Sequence, residues 1–411
     1  AACAVAVDAA PAAVAPDLDP SLLARVFGAE TPPRTATRRG EAVVLLVAGA
    51  TSYDGADPRE TDAAEPRGRP TAERVERLGA PCGNGTAPAT APKLLSLAFA
   101  YGRYLLASSS RRGGLPANLQ GVWADGLAAP WNGDYHLNIN LQMTYWAAWS
   151  ANVGEAAAPL VDFLEGLAAA GAKTAREWYG APGWVAHGYT DLWRDARALG
   201  ENKWALCATC GAWAALALSE ASEHAPGDAS KLAAAARVLG GALDFFEGYL
   251  LPVAAGDAGK LGLPSAPALL SGPSTSPENS YRLNGSAASL RGASKARDDW
   301  GFVALSPALD VAVLHRLATA YGELCARGAA CAAATEAFAA RLLASLPHGG
   351  RPVADAEGML REYPVAVGGR AAAAPDEAHR HFSGLFALYP GRQLSPLDDA
   401  DGAAAAAART L

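Results

Sequence analysis

The 411 residues are 51% hydrophobic and 18% charged, a balance that builds a core and excludes a disordered chain. A formal net charge of −7 argues against non-specific binding to nucleic acid or anionic membranes and suits an uncharged substrate. No apolar run approaches the roughly 20 residues of a membrane span, so no membrane insertion is expected.

The chain opens on an apolar stretch broken by Asp8 and Pro11, without the basic start and unbroken apolar core of a signal peptide. It has no initiator Met, so the true start is expected to lie upstream. Asn84 (before Gly-Thr) and Asn284 (before Gly-Ser) are sequons that carry meaning only in a secretory protein. Six cysteines in so long a chain imply no disulfide framework. Cys207 and Cys210 form a CxxC motif, readable as a redox pair, half a zinc site, or small buried residues opening a helix. No second pair or His cluster follows at matching spacing, and Cys325 and Cys331 stand too far apart to mimic one. Burial is therefore the expectation, with no metal and no cofactor.

Residues 1–90 are rich in Ala, Pro, Arg and charge and read as an irregular N-terminal segment, a possible β-sandwich remnant. One stretch in them, 42–47, is strand-like. From Pro92 the character changes. Residues 93–110 carry Leu94, Leu95, Leu97, Phe99, Tyr101, Tyr104, Leu105 and Leu106, a helical pattern apolar on most of its circumference and so expected to be buried. Further helices are predicted over 139–151, 155–179, 205–223, 230–251, 309–327 and 332–346. Strand signals are almost absent after residue 90. Long apolar helices joined by polar, aromatic loops predict an all-α bundle or α/α toroid, with loops at one end supplying a site.

Five loops are distinctive: 115–123 (Leu-Pro-Ala-Asn-Leu-Gln-Gly-Val-Trp), 130–143, 183–193, 273–279 (Pro-Ser-Thr-Ser-Pro-Glu-Asn), and His379-Arg380-His381 with Leu388-Tyr389-Pro390-Gly391. Trp123, Trp131, Trp184, Trp193 and Trp204 lie near Asn, Asp and His. Such plates beside amides and carboxylates suit the C–H faces and hydroxyls of a sugar; equally, each could fill the core. Glu278 sits in a Pro-bracketed loop able to hold a carboxyl rigidly, as a general acid or as a plain exposed turn residue. Asn138 and Asn140, two apart, would share a face in an extended segment and could grip one water together, or merely satisfy turn backbone.

Together these segments resemble glycoside hydrolase family 95, the α-1,2-L-fucosidases and their relatives, from about Lys93 to Leu411 and in the family's order. The resemblance implies an (α/α)6 barrel over 91–411 and inverting hydrolysis of terminal α-L-fucosides on oligosaccharides or glycans. It implies Glu278 as general acid and Asn138 and Asn140 as the amides orienting the attacking water. Inversion places acid and base roughly 6.5–9.5 Å apart. His136, Asp191, Trp204, Arg380 and His381 fall at positions implied to hold the fucose. The alternatives are a non-catalytic glycan-binding relative, or an (α/α)6 hydrolase or phosphorylase acting on another sugar such as L-galactose.

The sequence departs from the family pattern in three places. The segment reading HPPFQIDGNFG, which carries the partner Asp of the two amides, is not found in these residues, so the barrel is expected to be C-terminally truncated. Asp376 does not match that partner. A family Ser-His-Leu is here Ser383-Gly384-Leu385, and the segment running from Trp204 to Trp213 is also altered.

Overall fold

The computed structural model describes residues 3–9, 38–39, 42–49, 91–264, 267–282, 300–356, 358–366, 373–375, 381 and 383–395. Of these, 3–9, 38–39, 42–49, 91–95, 282, 300 and 373–375 are described by backbone only. Both sequons and Arg380 lie outside the described residues.

The chain divides into two compact units, residues 1–112 with 146–156, and residues 113–145 with 157–411. In the first, the strand-like stretch becomes the centre of an antiparallel sheet. β3 (Ala42–Gly49) pairs with β1 (Cys3–Ala9) on one side and β2 (Arg38–Arg39) on the other. Helix α1 (Ala91–Ser109) follows the predicted pattern, but its burial does not. Leu106, Ala107, Ser108 and Ser109 are buried, while Phe99, Tyr101 and Leu105 are exposed. The expectation of a buried helix is therefore corrected to one buried at its C-terminal end and exposed at Phe99, Tyr101 and Leu105. Its serines satisfy their hydroxyls locally, Ser108 Oγ donating to the Tyr104 carbonyl and Ser109 Oγ to that of Leu105, each at 2.6 Å.

The second unit is mostly helical. After α2 (Asn140–Tyr145), and with α3 (Ala147–Ser150) belonging to the first unit, come α4 (Ala158–Tyr179), α5 (Asn202–Ala205), α6 (Cys210–Glu223), α7 (Ala229–Tyr249), α8 (Ala308–Ala326) and α9 (Ala333–Ser345). Their ends are written in the sequence. Pro159 stands in the first turn of α4, and Gly180 closes it in the left-handed conformation that a side chain would resist. Asp228 caps α7 by accepting from the Ser230 and Lys231 amides. Consecutive helices pack, α6 on α7, α7 on α8 and α8 on α9, and α4 also packs on α7.

The core lies among these helices. Phe163, Leu164 and Leu167 of α4, Leu239, Leu243, Phe245 and Phe246 of α7, and Leu314 and Leu317 of α8 are essentially inaccessible. Each such side chain contributes roughly 1.5–3 kcal/mol by leaving water. One stretch, Asn202–Glu223, is after all long and apolar enough to cross a membrane, and 83% of its apolar window is packed inside the fold.

Strands of two or three residues fasten the loops. β4 (Tyr135–His136) pairs with β5 (Tyr189–Thr190), β6 (Leu251–Pro252) with β7 (Leu269–Leu270), and β8 (Tyr281–Arg282) lies between β9 (Trp300–Gly301) and β10 (Ala373–Pro375).

Where no disulfide framework was expected, four of the cysteines form two short-range disulfides. Cys207 is bonded to Cys210 and Cys325 to Cys331. A turn from the Cys207 carbonyl to the Cys210 amide brings the first pair's Cα atoms to 5.5 Å, within disulfide reach. Both are fully buried at the start of α6, as the burial reading holds.

Candidate active site

The loop over 271–281 is held from beneath. Ser271, Ser274, Thr275 and Ser276 are completely buried, so their polar atoms need partners inside the protein. Thr275 donates both its amide and its hydroxyl to the Leu206 carbonyl, and Tyr249 donates its hydroxyl to the Pro273 carbonyl. Two buried carboxylates complete the mounting. Asp310 of α8 accepts from Ser271 Oγ at 2.6 Å and Thr209 Oγ1 at 2.7 Å. Glu362 accepts from Ser276 Oγ. Burial pushes both carboxyls above the usual range, while these hydrogen bonds pull the other way.

At its tip the loop turns over Ser276-Pro277-Glu278-Asn279. The Asn279 amide donates to the Ser276 carbonyl at 2.9 Å, Pro277 occupies the second position, and Glu278 takes a φ of +59°. These are the features of a type II turn, whose third position ordinarily prefers Gly or Asn. A non-glycine residue there costs on the order of 1–3 kcal/mol, a strain that tends to persist where function needs the side chain.

Glu278 meets two of the other predicted residues. Asn138 Nδ2 donates to Glu278 Oε1 at 3.2 Å, and His381 Nε2 lies 3.9 Å from Glu278 Oε2. Asn138 is buried, and among the described residues its Oδ1 has no hydrogen-bond partner. Its backbone is set by the Leu137 amide, which donates to the Gly188 carbonyl at 2.8 Å. A carboxyl 12% exposed between an amide and an imidazole is equipped to give or take a proton.

The remaining predicted residues make other contacts. The chain turns over 137–139, so Asn138 is buried whereas Asn140 is exposed as the first residue of α2. The expectation of one extended segment showing both amides on a single face is thereby corrected. His136 Nε2 stands 2.8 Å from Asp134 Oδ1, and its ring lies 5.3 Å from that of Tyr189, whose hydroxyl is pushed up to about 12, chiefly by burial. Asp191 Oδ1 accepts the backbone amides of Trp193 and Asp195, shaping its own loop. Trp204 is half-buried, with the Lys203 ammonium 4.0 Å above its ring. Of the five tryptophans read as sugar plates, Trp184 belongs to the core. It is buried, and its Nε1 donates to the Val238 carbonyl. Trp123, Trp131 and Trp193 are exposed.

Comparison with known proteins gives the family of the chain. The family model described as the Glycosyl hydrolase family 95 catalytic domain matches residues 58–411. Alpha-L-fucosidase 2 of Arabidopsis thaliana is 33% identical over 309 residues, 74% of this chain and 32% of that protein. Probable alpha-fucosidase A of Aspergillus niger is 42% identical over 124 residues, and its counterpart in Aspergillus oryzae is 44% identical over 112. Those matches take in 30% and 27% of this chain and 16% of each fungal protein. The chain thus spans about a third or less of the curated relatives it matches. With the family model matched over most of its residues, the chain belongs to glycosyl hydrolase family 95.

Proposed function

We propose that this protein hydrolyses terminal α-L-fucosides, α-1,2-linked on oligosaccharides or glycans, with inversion at the anomeric carbon. Residues 91–411 supply helices of an (α/α)6 catalytic domain. The observation that carries the reading is Glu278 itself, held on a strained, deeply anchored turn with Asn138 and His381 at its carboxyl. Glu278 is the general acid that protonates the departing glycosidic oxygen. Asn138 orients the water, its amide engaged to Glu278 on one side and its buried Oδ1 without a hydrogen-bond partner among the described residues on the other, and Asn140 assists. Asn138 stands 3.2 Å from Glu278, well inside the roughly 6.5–9.5 Å between acid and base in inverting enzymes, so its part is to orient a water and not to be the base. His136, Asp191, Trp204, Arg380 and His381 hold the fucose.

The test is proton NMR of the sugar first released from 2′-fucosyllactose, beside the Glu278→Gln variant. β-L-Fucose is expected first, and loss of the acid is expected to slow release by about 10²–10⁴-fold. An α-anomer as first product would overturn inversion. Undiminished Glu278→Gln activity would overturn the acid, and no fucose from the folded wild type would overturn the substrate.

A further inference from the structure

Glu362 is a buried carboxylate that the proposed chemistry does not use. Its backbone carbonyl accepts the Ala308 amide at 2.9 Å, which ties it to the start of α8. Its side chain points at two segments that arrive from opposite directions along the chain. Oε1 accepts from Ser276 Oγ, and the Ser383 hydroxyl and the Gly384 amide lie near enough to the same carboxyl to favour its charged form. Ser276 and Ser383 are themselves in contact, with their hydroxyl oxygens 3.3 Å apart.

The positions of the two serines give this cluster its meaning. Ser276 opens the turn that carries Glu278 two residues later, and its carbonyl closes that turn. Ser383 follows His381 by two residues, and His381 faces the other oxygen of Glu278. A single carboxyl thus fastens both the segment that presents the acid and the segment that presents its neighbour. A buried carboxylate is expensive to keep, and a buried apolar contact would hold two loops together at lower cost. Hydrogen bonds add what an apolar contact lacks, a fixed direction for each segment.

We infer that Glu362 is a positioning residue for catalysis, holding the Glu278 turn and the His381 segment in register through Ser276 and Ser383. The inference rests on the fucosidase reading above and assigns Glu362 no contact with substrate. Its signature is a dependence on the leaving group. A sugar alcohol leaves only when the acid protonates it, so misplacing Glu278 is costly. A nitrophenolate leaves with little protonation, so the same misplacement hardly matters.

The experiment measures kcat and KM of wild type, Glu362→Gln and Ser276→Ala on 2′-fucosyllactose and on 4-nitrophenyl α-L-fucoside, with circular dichroism to confirm folding. In both variants kcat on the oligosaccharide should fall by about 10²-fold, the cost of roughly 1 Å of misplacement, and on the aryl fucoside by no more than about threefold. Ser276→Ala removes a donor without leaving a charge out of place, so it decides the matter if Glu362→Gln does not fold. Equal losses on both substrates would reduce Glu362 to a structural staple and overturn the inference, as would no loss on either. A wild type inert on both substrates would instead sink the fucosidase reading, and the positioning role with it.

Discussion

At the scale of single residues, Asp310 shows how a buried acid writes a pH dependence into stability. It lies on α8 with no exposed surface, and burial raises its pKa above the ordinary 3.8 despite hydrogen bonds from Ser271 and Thr209. Between that ordinary value and the raised one, the folded protein keeps a proton that the unfolded chain has lost. Stability must therefore fall as pH rises through the window, and Glu362 and Glu220, also raised by burial, act in the same direction. Asp310→Asn removes one such ionisation while keeping an acceptor for a hydroxyl. Melting temperatures followed by calorimetry from acidic to neutral buffers should decline less steeply for the variant, so that its deficit against wild type narrows as pH rises. Parallel curves would mean that Asp310 ionises normally. Neither Asp310 nor Glu362 was legible in the sequence, because their burial is decided by Thr209, Ser271 and Ser276, which lie 101, 39 and 86 residues away from them. Glu278, Asn138 and His381 were legible because each sits in a loop of distinctive composition, and the structure brings these three side chains together.

At the scale of elements, the helices were readable and the strand of chain threaded among them was not. Predicted helices over 155–179, 205–223, 230–251, 309–327 and 332–346 correspond to α4, α5 with α6, α7, α8 and α9, since long apolar patterns report directly on core-facing helices. The expected helix over 139–151 became the two short helices α2 and α3. Residues 184–187, read as part of a site loop, instead run through the core between helices that supply glycines at the crossing points. A Cβ on Gly171 of α4 would stand 2.5 Å from the Val185 carbonyl oxygen, and one on Gly211 of α6 would stand 2.9 Å from the Ala186 carbonyl oxygen. The Gly211 amide also donates to that Ala186 carbonyl, and the Trp184 amide donates to Gly241 of α7. This threading delivers the chain to Gly188 and β5, and hence to the turn that bears Asn138. Gly171→Ala and Gly211→Ala should each destabilise by about 1–3 kcal/mol, through overpacking against backbone that cannot step aside. Gly322 of α8 has nothing within 4 Å of its would-be Cβ. Gly322→Ala should therefore stabilise by roughly 0.5–1 kcal/mol, the ordinary gain for alanine within a helix. Urea midpoints at unchanged m-value would measure all three. If Gly171→Ala and Gly322→Ala moved the midpoint alike, the threading would not constrain the helices.

At the scale of the whole molecule, family membership, charge and the proposed chemistry meet in one electrostatic expectation. The chain carries a formal net charge of −7, and the proposed substrate, a fucosylated oligosaccharide, carries none. A protein with a net field steers charged partners, raising or lowering their encounter rate in a way that salt screens. A neutral sugar feels no such steering, and its recognition depends on hydrogen bonds and aromatic surface made at contact distance. Raising ionic strength tenfold should then change kcat/KM by less than about twofold. A charged substrate would behave otherwise, and the sign would identify it. For an anion, repelled by this protein, kcat/KM would climb as salt screened the repulsion; for a cation it would drop. Because the measurement concerns the substrate's charge and not its linkage, a flat profile would support the neutral-glycan reading even for a sugar other than fucose. A steep profile in either direction would overturn that reading, whatever residue supplies the acid.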